Sequence, residues 1–333
     1  MPELRQLGNS DVKVTPIVFG AWAIGGWMWG GTDDRRALEA IRASIDNGVT
    51  TIDTAPIYGF GHSEKLVGQA IRGRRDKVVI ATKCGMRWDA LQGSDPWPQK
   101  DTAGREVVIR KNSKPDQIIL ECEQSLLRLG IDVIDIYQIH RPDVDTPPED
   151  SMRGLEKLRE QGKIRAIGVS NFSLDWIQRA AAVAPLASSQ PPYSVIKRDI
   201  EKDILPWCVE HNIATIGYSP LERGLLAGAV PPERKFPEGD HRAGHKFFTQ
   251  ENRKRIAEAL EKIKPIADAH GASFAQTIIQ WTIRQPGITA ALVGARDAKQ
   301  AEHNTKAMSF SFSDEELAQI RAAFDECSRV MSA

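Results

Sequence analysis

The chain has 333 residues, of which 41% are hydrophobic and 26% charged, proportions typical of a soluble globular protein with a large core. Its 44 Lys and Arg residues balance 44 Asp and Glu residues, and this neutrality argues against nucleic acid or a charged membrane surface as a partner. The sequence has no run of 18 apolar residues and no secretory leader pattern, so we expect a cytoplasmic protein without a membrane partner.

Short β-branched runs alternate along the chain with amphipathic stretches, an order typical of parallel β/α units. In chain order the predicted strands are Ile17–Gly20, Thr50–Asp53, Lys77–Lys83, Val133–His140, Ile164–Ser170, Ala187–Gln190, Ala214–Ser219 and Ile288–Gly294. The predicted helices are Asp33–Asn47, Ser63–Arg72, Lys114–Leu129, Pro147–Gln161, Leu174–Ala184, Ile200–His211, Ser273–Arg284 and Asp297–Asn304. Eight such units predict an α/β fold, a (β/α)8 barrel that takes residues 1–333 as one domain.

Three segments are additions to the predicted barrel. Residues 3–15 predict a hairpin that closes the bottom of the barrel. Residues 84–113 and 221–248 predict long loops after the third and seventh strands. Both loops would lie on the face where barrel enzymes carry their active sites, and long loops in a compact domain are usually functional.

The length also permits a two-domain protein with a doubly wound nucleotide-binding fold. That fold needs a G-x-G-x-x-G pattern after a strand. Gly59 and Gly61 begin the pattern, but Glu64 occupies the third glycine position. No phosphate-binding G-x-x-x-x-G-K-[ST] motif occurs either, which favours the barrel.

The cysteine and histidine spacing does not predict a metal site. Cys84, Cys122, Cys208 and Cys327 are far apart and form no C-x-x-C pair, so we interpret them as free thiols. His241 and His245 have a ligand-like spacing, but glycines surround them and no third ligand is evident. We therefore expect no metal.

Polar residues end several of the predicted strands, where a parallel barrel places its active site. Asp53, Lys83 and His140 each end a strand, and Tyr58 follows Asp53 by five residues. A phenol becomes a usable acid when a nearby ammonium lowers its pKa from about 10, and a carboxylate can hold that ammonium. Each residue alone fits an ordinary structural role, but the four together predict a proton-transfer site.

The motifs around these residues resemble those of the aldo-keto reductase family. The resemblance runs from about Leu4 to Ala323. Within the family the chain is most similar to bacterial members with the Tyr-Ser-Pro-Leu-x-x-Gly-Leu-Leu segment, which also occurs in potassium-channel β subunits. The motifs are Asp53-Thr54-Ala55-x-x-Tyr58-Gly59, Thr82-Lys83, Gln138-Ile139-His140-x-Pro142, Gly168-Val169-Ser170-Asn171-Phe172, Gln190, Tyr218-Ser219-Pro220-Leu221-x-x-Gly224 and Gly294-Ala295-Arg296.

The resemblance implies NADPH-dependent reduction of a small carbonyl substrate. It makes Asp53, Tyr58, Lys83 and His140 the catalytic residues, with Tyr58 as the general acid. It also implies a set of residues that bind NADPH or NADP+ in extended form: Ser170, Asn171, Gln190, Tyr218, Ser219, Leu221, Arg223, Gly224, Gly294, Arg296, Gln300 and Asn304. The turn at Arg296 and the following helix would hold the 2′-phosphate.

Trp22 and Trp88 lie in loops after the first and third predicted strands and are candidates to line the substrate pocket. Because the sequence places no arginine firmly beside that pocket, we expect an uncharged aldehyde or activated ketone. The sequence leaves the oligomeric state open.

Two other functions stay open at this stage. The likeness to channel subunits allows a regulatory subunit that binds a nucleotide without turning it over. An isomerase or aldolase on the same barrel would need Lys83 to form a Schiff base in place of cofactor binding, which leaves Gln190, Tyr218 and Arg296 without a role.

Overall fold

The computed structural model describes residues 3–236, 240 and 242–332. Eight parallel strands form a closed barrel in which each strand pairs with its sequence neighbours and the eighth pairs with the first. In order, the barrel strands are Ile17–Gly20, Thr51–Asp53, Val79–Cys84, Ile134–Ile139, Ile164–Ser170, Leu186–Gln190, Ala214–Tyr218 and Ile288–Gly294. The predicted strands agree within two residues at every end, so the (β/α)8 prediction is confirmed.

Helices surround the barrel, and those between the strands return the chain to the start of the next strand. Their bounds are Asp34–Asp46, His62–Ala70, Pro115–Leu129, Pro148–Glu160, Leu174–Ala181, Ile204–Glu210, Gln250–Ala269, Phe274–Ile283, Ala298–Thr305, Asp314–Ala323 and Asp325–Ser332. The sequence prediction missed Gln250–Ala269 and the last two helices. Pro265 lies inside the first of these, where a proline normally indicates a helix end.

The predicted N-terminal hairpin is present and closes the barrel bottom. Arg5–Gln6 pairs antiparallel with Lys13–Val14, and the fully buried Leu7 and Val12 pack against side chains inside the barrel. At Gly8, where φ is +52°, a Cβ would lie 2.4 Å from a barrel-strand carbonyl oxygen. The hairpin therefore depends on glycine for its close approach.

The segment after the third barrel strand is not the structureless loop predicted for residues 84–113. It forms an antiparallel sheet from Met86–Arg87, Ser94–Lys100 and Glu106–Lys111. Ser94–Lys100 is an edge strand that contains two prolines. Proline is tolerated at sheet edges but argues against a strand in a sequence, which explains the error.

The loop after the seventh barrel strand contains two short 3-10 turns, Glu222–Ala227 and Lys246–Phe248. Residues 237–239 and 241 lie outside the described residues, and with them His241 of the histidine pair. His245 accepts a hydrogen bond from the Phe247 amide at the start of the second turn. Within the described ranges no three His, Cys, Asp or Glu side chains are grouped to hold a metal.

The described helices include none that is both long and apolar enough to cross a membrane.

A buried carboxyl lies beneath the end of the third barrel strand. Glu121 accepts a hydrogen bond at 3.0 Å from the amide of Gly85, while its second oxygen has no hydrogen-bond partner among the described residues. Burial raises the pKa of Glu121 to about 8, although the charge of Arg87 opposes the shift. The folded protein therefore favours the protonated carboxyl.

This raised pKa predicts that stability falls as pH rises. The unfolded carboxyl ionises near pH 4.5 and the folded one near pH 8, so the folded state binds the extra proton between them. Over that window the contribution of Glu121 to the unfolding free energy should decline by roughly 1.4 kcal/mol per pH unit. Urea unfolding from pH 5 to pH 8.5 should show this decline in the native protein but not in Glu121→Gln. Parallel curves for the two proteins would contradict the prediction.

Candidate active site

The carboxyl ends of the second, third and fourth barrel strands bring together the four predicted proton-transfer residues. Lys83 Nζ lies 2.5 Å from Asp53 Oδ1 and 3.3 Å from Tyr58 Oη. The Lys83 and Asp53 side chains are each only 1% exposed. The His140 ring stands edge-on to the Tyr58 ring with centroids 5.6 Å apart. The four side chains thus form one cluster.

Asp53 is held by three side-chain donors. Besides Lys83, its second oxygen accepts from Gln138 Nε2 at 3.1 Å and from Gln190 Nε2 at 2.9 Å. A buried carboxylate needs this many partners to offset its desolvation. The sequence analysis quoted Gln138 within a motif but gave it no role, and its place two residues before the strand-ending His140 was the available signal.

The phenol of Tyr58 is protonated at neutral pH. Burial raises its pKa above the ordinary value, and the nearby Lys83 ammonium lowers it by less than burial raises it. The lowering of this pKa predicted from Lys83 alone is wrong, because desolvation disfavours the phenolate more strongly than one ammonium favours it. The phenol of Tyr58 therefore has a proton that it can donate.

Lys83 is held in its charged form and His140 in its neutral form. Burial lowers the pKa of Lys83, but the Asp53 carboxylate and the phenol together raise it above the usual value, so the ammonium persists. Burial and the positive charges of Lys83 and Arg141 hold the pKa of His140 well below its usual range. His140 is consequently a neutral imidazole with one N–H to donate.

Two glycines set the backbone position of Tyr58. A Cβ on Gly25 would lie 2.7 Å from the Tyr58 carbonyl carbon, and one on Gly59 would lie 2.2 Å from the Gly25 carbonyl oxygen. The loop after the first strand therefore packs directly against the Tyr58 backbone. The sequence analysis missed Gly25, and only the packing in three dimensions shows its role.

The ends of the fifth, sixth and seventh strands carry a second polar cluster. Asn171 donates to Ser170 Oγ at 2.9 Å and accepts from the Tyr218 hydroxyl at 2.8 Å. Ser170 in turn donates to the Gln190 carbonyl at 2.9 Å. Asn171 has a left-handed φ of 61°, and its backbone N–H donates to the Gln190 carbonyl at 3.3 Å. The structure thus brings these four predicted cofactor residues together.

The turn after the seventh strand holds an incompletely paired arginine. Ser219, Glu222 and Arg223 have φ values of 59°, 43° and 57°, and the buried Glu222 accepts from Ser194 Oγ at 2.7 Å. The Nε and one terminal nitrogen of Arg223 are buried without a hydrogen-bond partner in the described chain. Leu221 and Gly224 flank the turn, and the space beside Gly224 is open. Strained backbone of this kind is typical of ligand-binding turns.

At the end of the eighth strand, the side chains of two predicted cofactor residues form hydrogen bonds with the backbone. Asn304 is buried and donates to the Gly294 carbonyl at 3.2 Å, and Gln300 accepts from the Arg296 amide at 3.0 Å. The exposed Arg296 guanidinium donates to the Gly31 carbonyl at 3.1 Å. Of the three side chains only Arg296 is charged, and its exposed guanidinium is accessible to an anion.

Aromatic side chains form one wall of the barrel mouth. Trp22 lies beside Tyr58 with ring centroids 6.3 Å apart. Trp88 stands further out and contacts Phe60 edge-on at 5.6 Å, and Phe60 contacts Trp27 at 5.2 Å. The structure therefore places Trp22 beside Tyr58 and Trp88 in the outer part of the wall.

The structure adds a charged residue that the sequence analysis did not place. Arg141 directly follows His140 and is exposed. Burial dominates the pKa of His140, Tyr58 and Tyr218, and the positive charge of Arg141 is a smaller influence that lowers all three. Its position immediately after a strand-ending histidine was the signal that could have identified it.

The fold and the site define a (β/α)8 barrel with a cluster of Asp53, Tyr58, Lys83 and His140 at its mouth. The family description "Aldo/keto reductase family" matches residues 16–325. The NADH-specific methylglyoxal reductase of Escherichia coli (strain K12) is 35% identical over 324 residues, which cover 95% of this chain and 96% of that protein. The chain belongs to the aldo/keto reductase family.

Two solved structures of relatives extend the comparison. The glycerol dehydrogenase of Gluconobacter oxydans is 37% identical, with a TM-score of 0.86 over 97% of this chain and 95% of that one. An aldo-keto reductase from Klebsiella pneumoniae in complex with NADPH is 29% identical, with a TM-score of 0.72 over 97% and 95% of the two chains. Both cover the barrel and its additions.

Proposed function

We propose that this protein reduces small aldehydes and ketones to alcohols with NADPH, reversibly, and that Tyr58 supplies the proton. The contact of 3.3 Å between Lys83 Nζ and Tyr58 Oη carries the proposal, because it joins a protonated phenol to a buried ammonium at the barrel mouth. A general acid positioned in this way contributes roughly 100- to 10,000-fold to a rate.

The residues at the mouth fit a nicotinamide dinucleotide. The two unpartnered nitrogens of Arg223 suit a pyrophosphate, since a buried guanidinium without acceptors is costly. Ser170, Asn171 and Gln190 offer hydroxyl and amide groups for the carboxamide, and the half-buried Tyr218 offers a ring face. The related structure in complex with NADPH supports this assignment.

When bound, the cofactor supplies the hydride that reduces the carbonyl carbon. Neutral His140 donates a hydrogen bond that orients the carbonyl oxygen. Tyr58 donates its proton to that oxygen as negative charge develops there, and the Lys83 ammonium stabilises the phenolate that remains. Asp53 holds the ammonium in place at 2.5 Å.

Turnover of NADPH with a panel of small aldehydes and ketones tests this proposal. We expect NADPH oxidation with alcohol formed in equal amount for at least one carbonyl compound in the panel. A protein that binds NADPH tightly but oxidises it with none of them would be the nucleotide-binding subunit instead.

The cytoplasmic location stays a prediction.

Cofactor preference depends on Arg296 in this proposal. Arg296→Ala should raise the KM for NADPH by roughly 10- to 100-fold, corresponding to about 1.5–3 kcal/mol for a charge-assisted contact, and should change the KM for NADH by less than about threefold. Steady-state kinetics with both cofactors checks this. The test is informative because the related methylglyoxal reductase is NADH-specific.

Arg36→Ala is a matched control for this prediction. Arg36 is a neighbouring cation whose guanidinium is already paired with Asp297 at 2.8 Å. Its loss should therefore change the KM for NADPH and the KM for NADH equally, and both by less than Arg296→Ala changes the KM for NADPH. Equal losses for both cofactors in Arg296→Ala would instead assign that residue a structural role, consistent with its contact to Gly31.

A further inference from the structure

Arg141 lies on the substrate side of the barrel mouth. It follows the fourth barrel strand, which neighbours the strand of Lys83 on one side and that of Ser170 on the other. Its charge acts on His140 beside it, on Tyr58 from the second strand and on Tyr218 from the seventh. Because Arg141 directly follows His140 at the end of a barrel strand and is exposed, it lies at the rim of the mouth beside the cluster of Asp53, Tyr58, Lys83 and His140.

The backbone on both sides of Arg141 is fixed. The carbonyl oxygen that precedes it accepts from Asn171 Nδ2 at 3.0 Å. Two residues after it, the buried Asp143 accepts from Ser94 Oγ at 2.5 Å and from the Ser113 amide at 2.9 Å. A guanidinium on so rigid a turn loses little backbone freedom when it binds a ligand.

Arg141 has no acceptor of its own. Among the described residues it makes no hydrogen bond or ion pair, whereas four other cations near the rim are matched with carboxylates: Lys83 with Asp53, Arg87 with Asp89, Lys111 with Asp95 and Arg242 with Asp240. The mouth therefore presents a positive charge that is not neutralised within the described chain.

The place of Arg141 in the ring separates it from the phosphates of the proposed cofactor. The turn that holds Arg223 follows the seventh strand and Arg296 follows the eighth, which lies directly across the barrel from the fourth. The aromatic wall of Trp22 and Tyr58 belongs to the first and second strands. Arg141 thus adjoins the space beside the Tyr58 and His140 cluster and lies away from the residues proposed for the phosphates.

We propose that Arg141 selects substrates that carry a carboxylate as well as the reacting carbonyl, such as short aldehydes with a terminal carboxylate. The carbonyl lies at Tyr58 and His140, and the carboxylate pairs with the guanidinium in the fork geometry that the two groups share. This inference rests on the proposed reductase function. It revises the expectation of an uncharged substrate, which was drawn before any arginine could be placed at the mouth.

Kinetics with matched substrates test the proposal. We would measure kcat/KM with NADPH for 4-oxobutanoate and for butanal, which differ in the terminal carboxylate. The native protein should prefer 4-oxobutanoate, and Arg141→Gln should reduce that preference by at least about 10-fold. Arg141→Lys should restore part of it, since an ammonium keeps the charge but loses the fork.

Arg72→Gln is the matched control. Arg72 is also an exposed arginine, but it follows the helix His62–Ala70 and lies near the start of the third strand, at the opposite end of the barrel. This variant should keep the native substrate preference. A native preference for butanal, or equal losses for both substrates in Arg141→Gln, would overturn the proposal, as would a rise in the KM for NADPH as large as the rise for 4-oxobutanoate.

Binding without turnover separates this inference from the reductase proposal. Calorimetry in the presence of NADP+ should show butanoate binding more tightly than butanamide, and Arg141→Gln should remove the difference. If neither aldehyde is turned over but this difference is present, the reductase proposal fails while the anion site stands. If butanal is reduced but butanoate has no advantage over butanamide, the anion site fails alone.

Discussion

Replacing Tyr58 by phenylalanine should lower kcat by at least about 100-fold, the usual contribution of a positioned general acid. The substitution removes the hydroxyl that lies 3.3 Å from Lys83 Nζ and keeps the ring that packs against Trp22 and His140. Steady-state kinetics should therefore show a loss in kcat with little change in cofactor affinity, which fluorescence titration with NADPH would measure independently.

The matched comparison for this variant is Tyr218→Phe. Tyr218 also donates its hydroxyl to a neighbouring side chain, Asn171 Oδ1, but in this account it positions the cofactor. Loss of the Tyr218 hydroxyl should raise the KM for NADPH by a larger factor than it lowers kcat. Near-native kcat in Tyr58→Phe would eliminate Tyr58 as the acid.

Replacing Lys83 by methionine should damage both activity and stability. The ammonium lies 2.5 Å from Asp53 and both side chains are 1% exposed, so the variant leaves a buried carboxylate without its counter-charge. Removing one partner of a buried ion pair typically costs about 3–5 kcal/mol. We expect a fall of this size in the unfolding free energy measured with urea. We also expect kcat to fall by at least about 100-fold, because the phenolate is no longer stabilised.

The double variant Asp53→Asn with Lys83→Met separates the two effects. Removing both charges avoids the unpaired carboxylate, so the double variant should recover much of the stability that Lys83→Met loses. It should recover none of the activity, since the ammonium is still absent. A Lys83→Met protein as stable as the native one would show that Asp53 is neutralised by other means.

The barrel could be predicted because hydrophobic periodicity and strand length are local properties. Ile17–Gly20, Ile164–Ser170 and Ile288–Gly294 have the predicted bounds, and glycines with positive φ follow the helices at 48, 130 and 162 as expected. The sheet within residues 84–113 could not be predicted in this way. Its prolines conceal the edge strand, and its pairing depends on contacts that the local pattern does not encode.

The residues of the candidate site were predictable because parallel strands bring their carboxyl ends to one rim. What the sequence could not show is how burial and charge combine there. The net upward pKa shift of Tyr58 depends on its enclosure as well as on Lys83. The roles of Gln138, Gly25 and Arg141 depend on which strands are neighbours in the closed ring.

A crystal structure with NADP+ and an unreactive carboxamide analogue of the substrate tests the central claim most directly. We expect the amide carbonyl oxygen of the analogue within about 2.6–3.2 Å of Tyr58 Oη and within hydrogen-bonding distance of the His140 ring. We also expect the nicotinamide amide on Ser170, Asn171 and Gln190. A nicotinamide ring bound away from these three residues, or a carbonyl oxygen out of reach of Tyr58, would contradict the account.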